Sequence, residues 1–133
     1  MSLMNKFKGQ SSMEFMVMVA IMLLMLSITI TALRDRKTAL DQRRDSLQGV
    51  SIGDKVANEI DMALTFGEGY YRTFEIDRAI RGEEYTVDVE QGQVVVSWGE
   101  RDIYSPTSTE DVEGSIQPGE NKIKNVDGDI KIE

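Results

Sequence analysis

One carboxylate, Glu14, stands immediately before nineteen uncharged residues, Phe15–Leu33. A charge on that border is costly in an apolar setting unless a cation meets it. The residues around it are ordered. Lys6 and Lys8 precede the small residue Gly9, and Gln10, Ser11, Ser12 and Met13 lead to Glu14 and Phe15. Two readings of Glu14 stand side by side. Its carboxylate can pair with a cation of another group or molecule. It can also act as the capping-box partner of Ser11, three residues earlier, in a first helical turn that favours an anion.

Other chemistry is scarce. The chain has no histidine and no cysteine, so the commonest general base, thiol nucleophiles, disulfides and Cys-ligated metals all drop out. Glu83-Glu84 and Glu110-Asp111 read as solvated charge. Asn125, Asp127 and Asp129 alternate like the start of a calcium loop, but the glycine is misplaced and no bidentate acid follows, so an ordinary turn is expected. The expectation is therefore a protein without enzyme activity, cofactor or metal centre. A net charge of −8 repels phosphates and argues against nucleic acid as a partner. No N-x-S/T acceptor occurs.

The elements that position Glu14 begin with the apolar segment. Nineteen helical residues span about 28 Å, close to the hydrocarbon core of a bilayer, so a transmembrane helix is the plain reading. A secretory signal fits less well, because its apolar core is shorter and no small-x-small site follows Leu33. Methionines at 13, 16, 18, 22 and 25 suit either irregular packing between helices or contact with lipid. Beyond Leu33 the pattern becomes amphipathic. Leu33, Leu40 and Leu47 recur among Arg34, Asp35, Arg36, Lys37, Asp41, Arg43, Arg44 and Asp45, a thin apolar stripe on a charged helix that packs against other helices or stands as a solvated stalk. A helix from Ser12 to Leu47 would measure roughly 54 Å. Gly49 and Gly53 each weaken a helix by about 1 kcal/mol, so a bend or break is expected there, with Asp54 capping a restart. Val56, Ile60, Ala63 and Leu64 then mark a face for core packing, up to Gly67-Glu68-Gly69.

From Tyr70 the signals are strands. Tyr85–Val89 and Val94–Trp98 read as a hairpin with Gln91-Gly92 as a two-residue turn, so that Val89 faces Val94, Val87 faces Val96 and Tyr85 faces Trp98. Phe74, Ile76 and Ile80 suggest an earlier strand, and Ile123–Val126 with Ile130–Ile132 a second hairpin. Pro106–Gly119 is polar and acidic and reads as a surface loop. Tyr70, Tyr71, Tyr104 and Trp98 form either an adhesive surface or part of the core and its rim.

The run Lys8-Gly9-Gln10-Ser11-Ser12-Met13-Glu14-Phe15 followed by the apolar helix resembles the class III signal peptide of archaeal type IV pilin-like proteins. The resemblance in motif covers roughly residues 6–33. It implies an α+β protein, with a long N-terminal helix followed by a small antiparallel β-rich domain. Residues 1–9 would be a leader recognised through Lys6 and Lys8. A prepilin peptidase would cut between Gly9 and Gln10. Residues 10–66 would form the long helix, apolar over 15–33, and 67–133 an outward-facing domain. Glu14 and Phe15 would serve assembly, Glu14 by meeting the α-amino group freed on Gln10 of another subunit. Cyclisation of Gln10 to pyroglutamate would remove that charge. The implied partners are the membrane before assembly, the peptidase, the pilus assembly machinery and further copies in a homo-oligomeric filament, with adhesion as its use. Counting the basic residues at the two ends of the span favours the opposite orientation, whereas the resemblance places the leader inside. Unlike bacterial type IV pilins with a C-terminal disulfide loop, this chain must hold its soluble end by packing alone. Two other readings remain: a permanently anchored binding module, and a minor pilin-like subunit of an assembly or secretion apparatus.

Overall fold

The computed structural model describes residues 9–133. The chain is one long helix followed by small antiparallel sheets, an α+β arrangement. Helix α1 runs Gly9–Phe66. Seven strands follow: β1 (Tyr71–Ile76), β2 (Thr86–Glu90), β3 (Gln93–Trp98), β4 (Arg101–Pro106), β5 (Val112–Gly114), β6 (Gly119–Val126) and β7 (Asp129–Ile132). Two compact units divide the chain, one ending at Gln42 and one comprising Arg43–Glu133.

In the first unit every described residue from Gly9 to Leu40 is exposed. The helix is long and apolar enough to cross a bilayer. The threonine hydroxyls within it are turned back onto the helix. Thr29 Oγ1 donates to the Met25 carbonyl at 2.9 Å, and Thr31 Oγ1 to that of Ser27 at 3.0 Å. The backbone thereby satisfies polar groups that an apolar surrounding would not.

The second unit is built on the last turns of α1. Ile52, Val56, Ile60 and Ala63, three or four residues apart, are buried together with Phe74, Ile76, Ile123, Ile130, Val94 and Val96. One sheet has the order β1-β6-β7-β5 and the other β2-β3-β4. The β2–β3 hairpin takes the expected register, with Val89 opposite Val94 and Val87 opposite Val96. Its turn residues Gln91 and Gly92 both have positive φ, 51° and 73°, as a type I′ turn requires. Tyr85 precedes β2, and both it and Trp98 are buried. The C-terminal hairpin also forms, as β6 and β7.

Three expectations need correction. Gly49 and Gly53 do not break α1; both are helical. A Cβ on Gly49 would lie 2.5 Å from the Trp98 ring, and one on Gly53 2.5 Å from Ser105 Oγ. The glycines are there for close approach of the sheet, which outweighs their poor helix propensity. Pro106–Gly119 is not all loop, since β5 pairs in parallel with β7 and Ile116 is buried. Ile80 lies outside β1, in an isolated bridge with Glu83, although it is fully buried.

Candidate processing and assembly segment

Gly9, Gln10, Ser11 and Glu14 lie on the exposed start of the described helix. Gly9 and Gln10 are already helical, so Ser11 is not an N-cap in the uncut chain and the capping-box geometry is not realised. A glycine inside a helix loosens it by about 1 kcal/mol relative to alanine, and it does so here beside the bond expected to be cut. A Cβ at Gly9 would meet nothing within 4 Å, so no contact with the described residues demands glycine at this position.

Gln10 and Glu14 are one helical turn apart and, with Ser11, Met13, Phe15, Val17 and Met18, line a shallow furrow. The furrow runs between side chains of one helix and encloses nothing. Phe15 is 66% exposed and Met13 72%. Glu14 is exposed on the same stretch. Lys6 and Lys8, the expected recognition residues of the leader, lie outside the described residues.

The β-rich unit is tied to α1 by polar contacts that the sequence did not disclose. Asp61 Oδ1 accepts from Thr107 Oγ1 and from the Ser108 amide, both at 2.8 Å. Asn125 Nδ2 donates to the Ala63 carbonyl at 2.9 Å, and its Oδ1 accepts from the Gly128 amide at 3.0 Å. Asn125 thus closes the turn at Asp127 and Gly128 and holds it to the helix. Gln48 Nε2 donates to Asp77 Oδ2 and to the Ala79 carbonyl. Arg81 approaches Asp45 at 3.4 Å. One signal was available: β6 alternates strictly in burial, and Asn121 and Asn125 fall on its inward side, where a polar residue must find a partner.

Among the described residues, the surroundings of Tyr85 and Glu133 shift their titration. Burial and the nearby Asp77 charge push the Tyr85 hydroxyl up to about 12, and this hydroxyl donates to the Asp77 carbonyl. Lys124, 2.6 Å from Glu133, holds that carboxyl below its usual range through a hydrogen bond and its charge. Of the aromatic residues weighed for a surface role, Trp98 is core, Tyr70 is half-buried, and Tyr71 and Tyr104 are 61% and 58% exposed.

No curated protein and no solved structure matches the chain. A family model described as class III signal peptide matches residues 8–32, the stretch that holds Gly9, Gln10, Glu14 and the apolar helix. The signal indicates a type IV pilin-like subunit of the surface or filament kind, processed by a prepilin peptidase. Across residues 8–32 the chain carries a class III signal peptide, the hallmark of archaeal type IV pilin-like proteins.

Proposed function

We propose that the chain is a structural, non-catalytic subunit of an archaeal type IV pilus or related surface filament, used for adhesion. Its precursor sits in the membrane through Phe15–Leu33, is cut between Gly9 and Gln10, and is then assembled with copies of itself through the apolar part of α1. The observation that carries this reading is the matched signal at residues 8–32 leading into a helix whose large apolar side chains are all exposed from Met13 to Leu33. Burial of such a surface against sister helices holds subunits together without chemistry. Glu14 offers each arriving subunit a carboxylate for its new α-amino group, and the β-rich unit faces outward.

The test is the N-terminus of the protein taken from its native envelope, read by intact and peptide mass spectrometry. A start at Gln10 or its pyroglutamate form, in material released by shearing, supports the reading. A start at Met1 or Ser2, in protein that stays with the membrane after shearing, replaces it with a permanently anchored module. Stoichiometry in the sheared material separates a major subunit from a minor one.

A further inference from the structure

The strands of the second unit leave two open edges. β1 ends the sheet β1-β6-β7-β5 and β4 ends the sheet β2-β3-β4, while an isolated antiparallel bridge between Val87 and Ile116 links β2 to the chain just past β5. An open edge presents amides and carbonyls that another strand can take. The pairings identify them. The Thr107 amide donates to the Gly92 carbonyl, and backbone direction alternates along a strand. Arg101, Ile103 and Ser105 therefore bond to β3, and the backbone groups of Asp102, Tyr104 and Pro106 point outward. The Tyr70 carbonyl accepts from the Asn125 amide, so Arg72, Phe74 and Ile76 bond to β6, and those of Tyr71, Thr73 and Glu75 point outward. Lys55 already donates to the Glu75 carbonyl, and Pro106 has no N–H to offer. Among the described residues, those with both backbone groups open on these edges are Tyr71 and Thr73 on β1, and Asp102 and Tyr104 on β4. The open stretches match in length.

They also match in side and sense. Tyr71, Thr73, Asp102 and Tyr104 are all exposed, whereas Phe74, Ile76 and Ser105 are buried. An antiparallel junction of the two edges thus keeps outer side chains with outer ones and core with core. From β1 across to β4 every step is antiparallel except that between β7 and β5, so β4 runs opposite to β1. Copies in one common orientation bring β4 of one antiparallel to β1 of the next. Such a head-to-tail contact repeats along an open chain when its rotation does not close a ring.

We propose that β4 of one copy adds to the β1 edge of a second copy of this chain, with Tyr104 opposite Tyr71 and Asp102 opposite Thr73, so that sheet runs on between neighbouring β-rich units. The inference rests on the filament reading and adds to it a contact made by the strands. Each pair exchanges both amide–carbonyl bonds. A one-residue slip would set exposed side chains against core-facing ones. A two-residue slip one way sets Asp102 against Glu75. The other way sets Tyr104 against Gly69, whose amide is already given to the Asn125 carbonyl. In the proposed register two tyrosines pair across the junction. Lys122 lies opposite Thr73 within the sheet, so Asp102 and Lys122 flank that small residue with unlike charges. Half-buried Ile103 comes against the stem of Arg72, whose head stays with Glu59.

The cysteine-free chain makes the contact testable in the full-length protein in its native envelope. Cα atoms of such a pair lie about 5.5 Å apart, within reach of a disulfide. A chain carrying Thr73→Cys and Asp102→Cys is expected to give a ladder of disulfide-linked oligomers when its sheared polymer is oxidised. One carrying Thr73→Cys and Glu90→Cys should give none. Tyr104→Pro removes the outward amide and leaves the bonds to β3 in place. It should lower polymer recovery several-fold, with the unfolding midpoint of the detergent-solubilised chain near that of wild type, whereas Tyr104→Phe should polymerise normally. Should Tyr104→Pro unfold the unit, the ladder alone decides. Polymer without the ladder, an equal ladder from the control pair, or folded Tyr104→Pro chain that polymerises at the wild-type level overturns the edge pairing and leaves the filament reading standing. A wild-type chain that stays uncut and yields no shearable polymer overturns both.

Discussion

The buried amide of Asn125 donates to the main-chain carbonyl of Ala63 at 2.9 Å, across sixty-two residues of sequence. Ala63 is in the last turn of α1, and its carbonyl also accepts from the Gly67 amide at 3.3 Å, so Asn125 supplies its second donor. A side chain in β6 thus completes the helix end, and its other atom closes the β6–β7 turn. Replacing Asn125 with leucine removes both contacts, leaving the Ala63 carbonyl with the Gly67 amide alone and the β6–β7 turn without its side-chain acceptor. The expected loss is about 1–3 kcal/mol of stability, read as a lower unfolding midpoint of the detergent-solubilised full chain. An unchanged midpoint would show that the Ala63 carbonyl and Gly128 amide find partners elsewhere.

Gly49 and Gly53 pit propensity against packing. Alanine would favour the helix by about 1 kcal/mol at each site. The added Cβ would enter the Trp98 ring at Gly49 and the Ser105 hydroxyl at Gly53, and overpacking typically costs about 1–3 kcal/mol. Packing wins at Gly49, where a rigid ring lies in the way, so Gly49→Ala should destabilise the fold. Gly53→Ala should destabilise it less in a Ser105→Gly background than alone. Additive losses in that double-mutant cycle would mean that the two residues do not constrain each other.

These glycines also show where sequence reasoning stops. The β2–β3 hairpin was legible because alternating valines and a Gln-Gly turn sit within a dozen residues, and register follows from burying one side of each strand. The C-terminal hairpin was legible for the same reason. β5 was hidden because Val112-Glu113-Gly114 carries almost no pattern and its partner β7 is parallel and distant in sequence. Gly49 and Gly53 misled because a local scale penalises glycine in a helix, and nothing local announces that Trp98 and Ser105 will arrive. The segment from Gly9 to Phe15 was legible because its order is local. Glu59 carried no local signal, because its ion-pair partner Arg72 reaches it only through β1.

Tyr85 fixes the alkaline limit of the second unit. Its hydroxyl titrates near 12 in the fold and near 10 when unfolded, so between these values the folded chain keeps a proton that the unfolded chain has released. Stability is therefore fully present below pH 10 and falls as pH rises towards 12. Tyr85→Phe should remove this alkaline loss while costing about 1 kcal/mol at neutral pH through the missing hydrogen bond to Asp77. Unfolding midpoints followed from pH 8 to pH 12 test both effects. An equal alkaline decline in the variant would move the cause elsewhere.

Gly9 and Glu14 separate processing from assembly. A side chain at Gly9 meets open space, so Gly9→Val should leave the second unit's unfolding midpoint unchanged while the chain stays uncut, with an N-terminus upstream of Gln10. Glu14 is exposed on the helix, and Glu14→Gln keeps its shape while removing its charge. The cut should still occur, but incorporation into sheared polymer should fall, because the carboxylate no longer meets the α-amino group of an incoming subunit. Phe15→Arg should also impair incorporation, by placing a cation inside the apolar helix contact. Normal incorporation of Glu14→Gln would remove Glu14 from assembly and leave it only the solvated edge of the membrane helix.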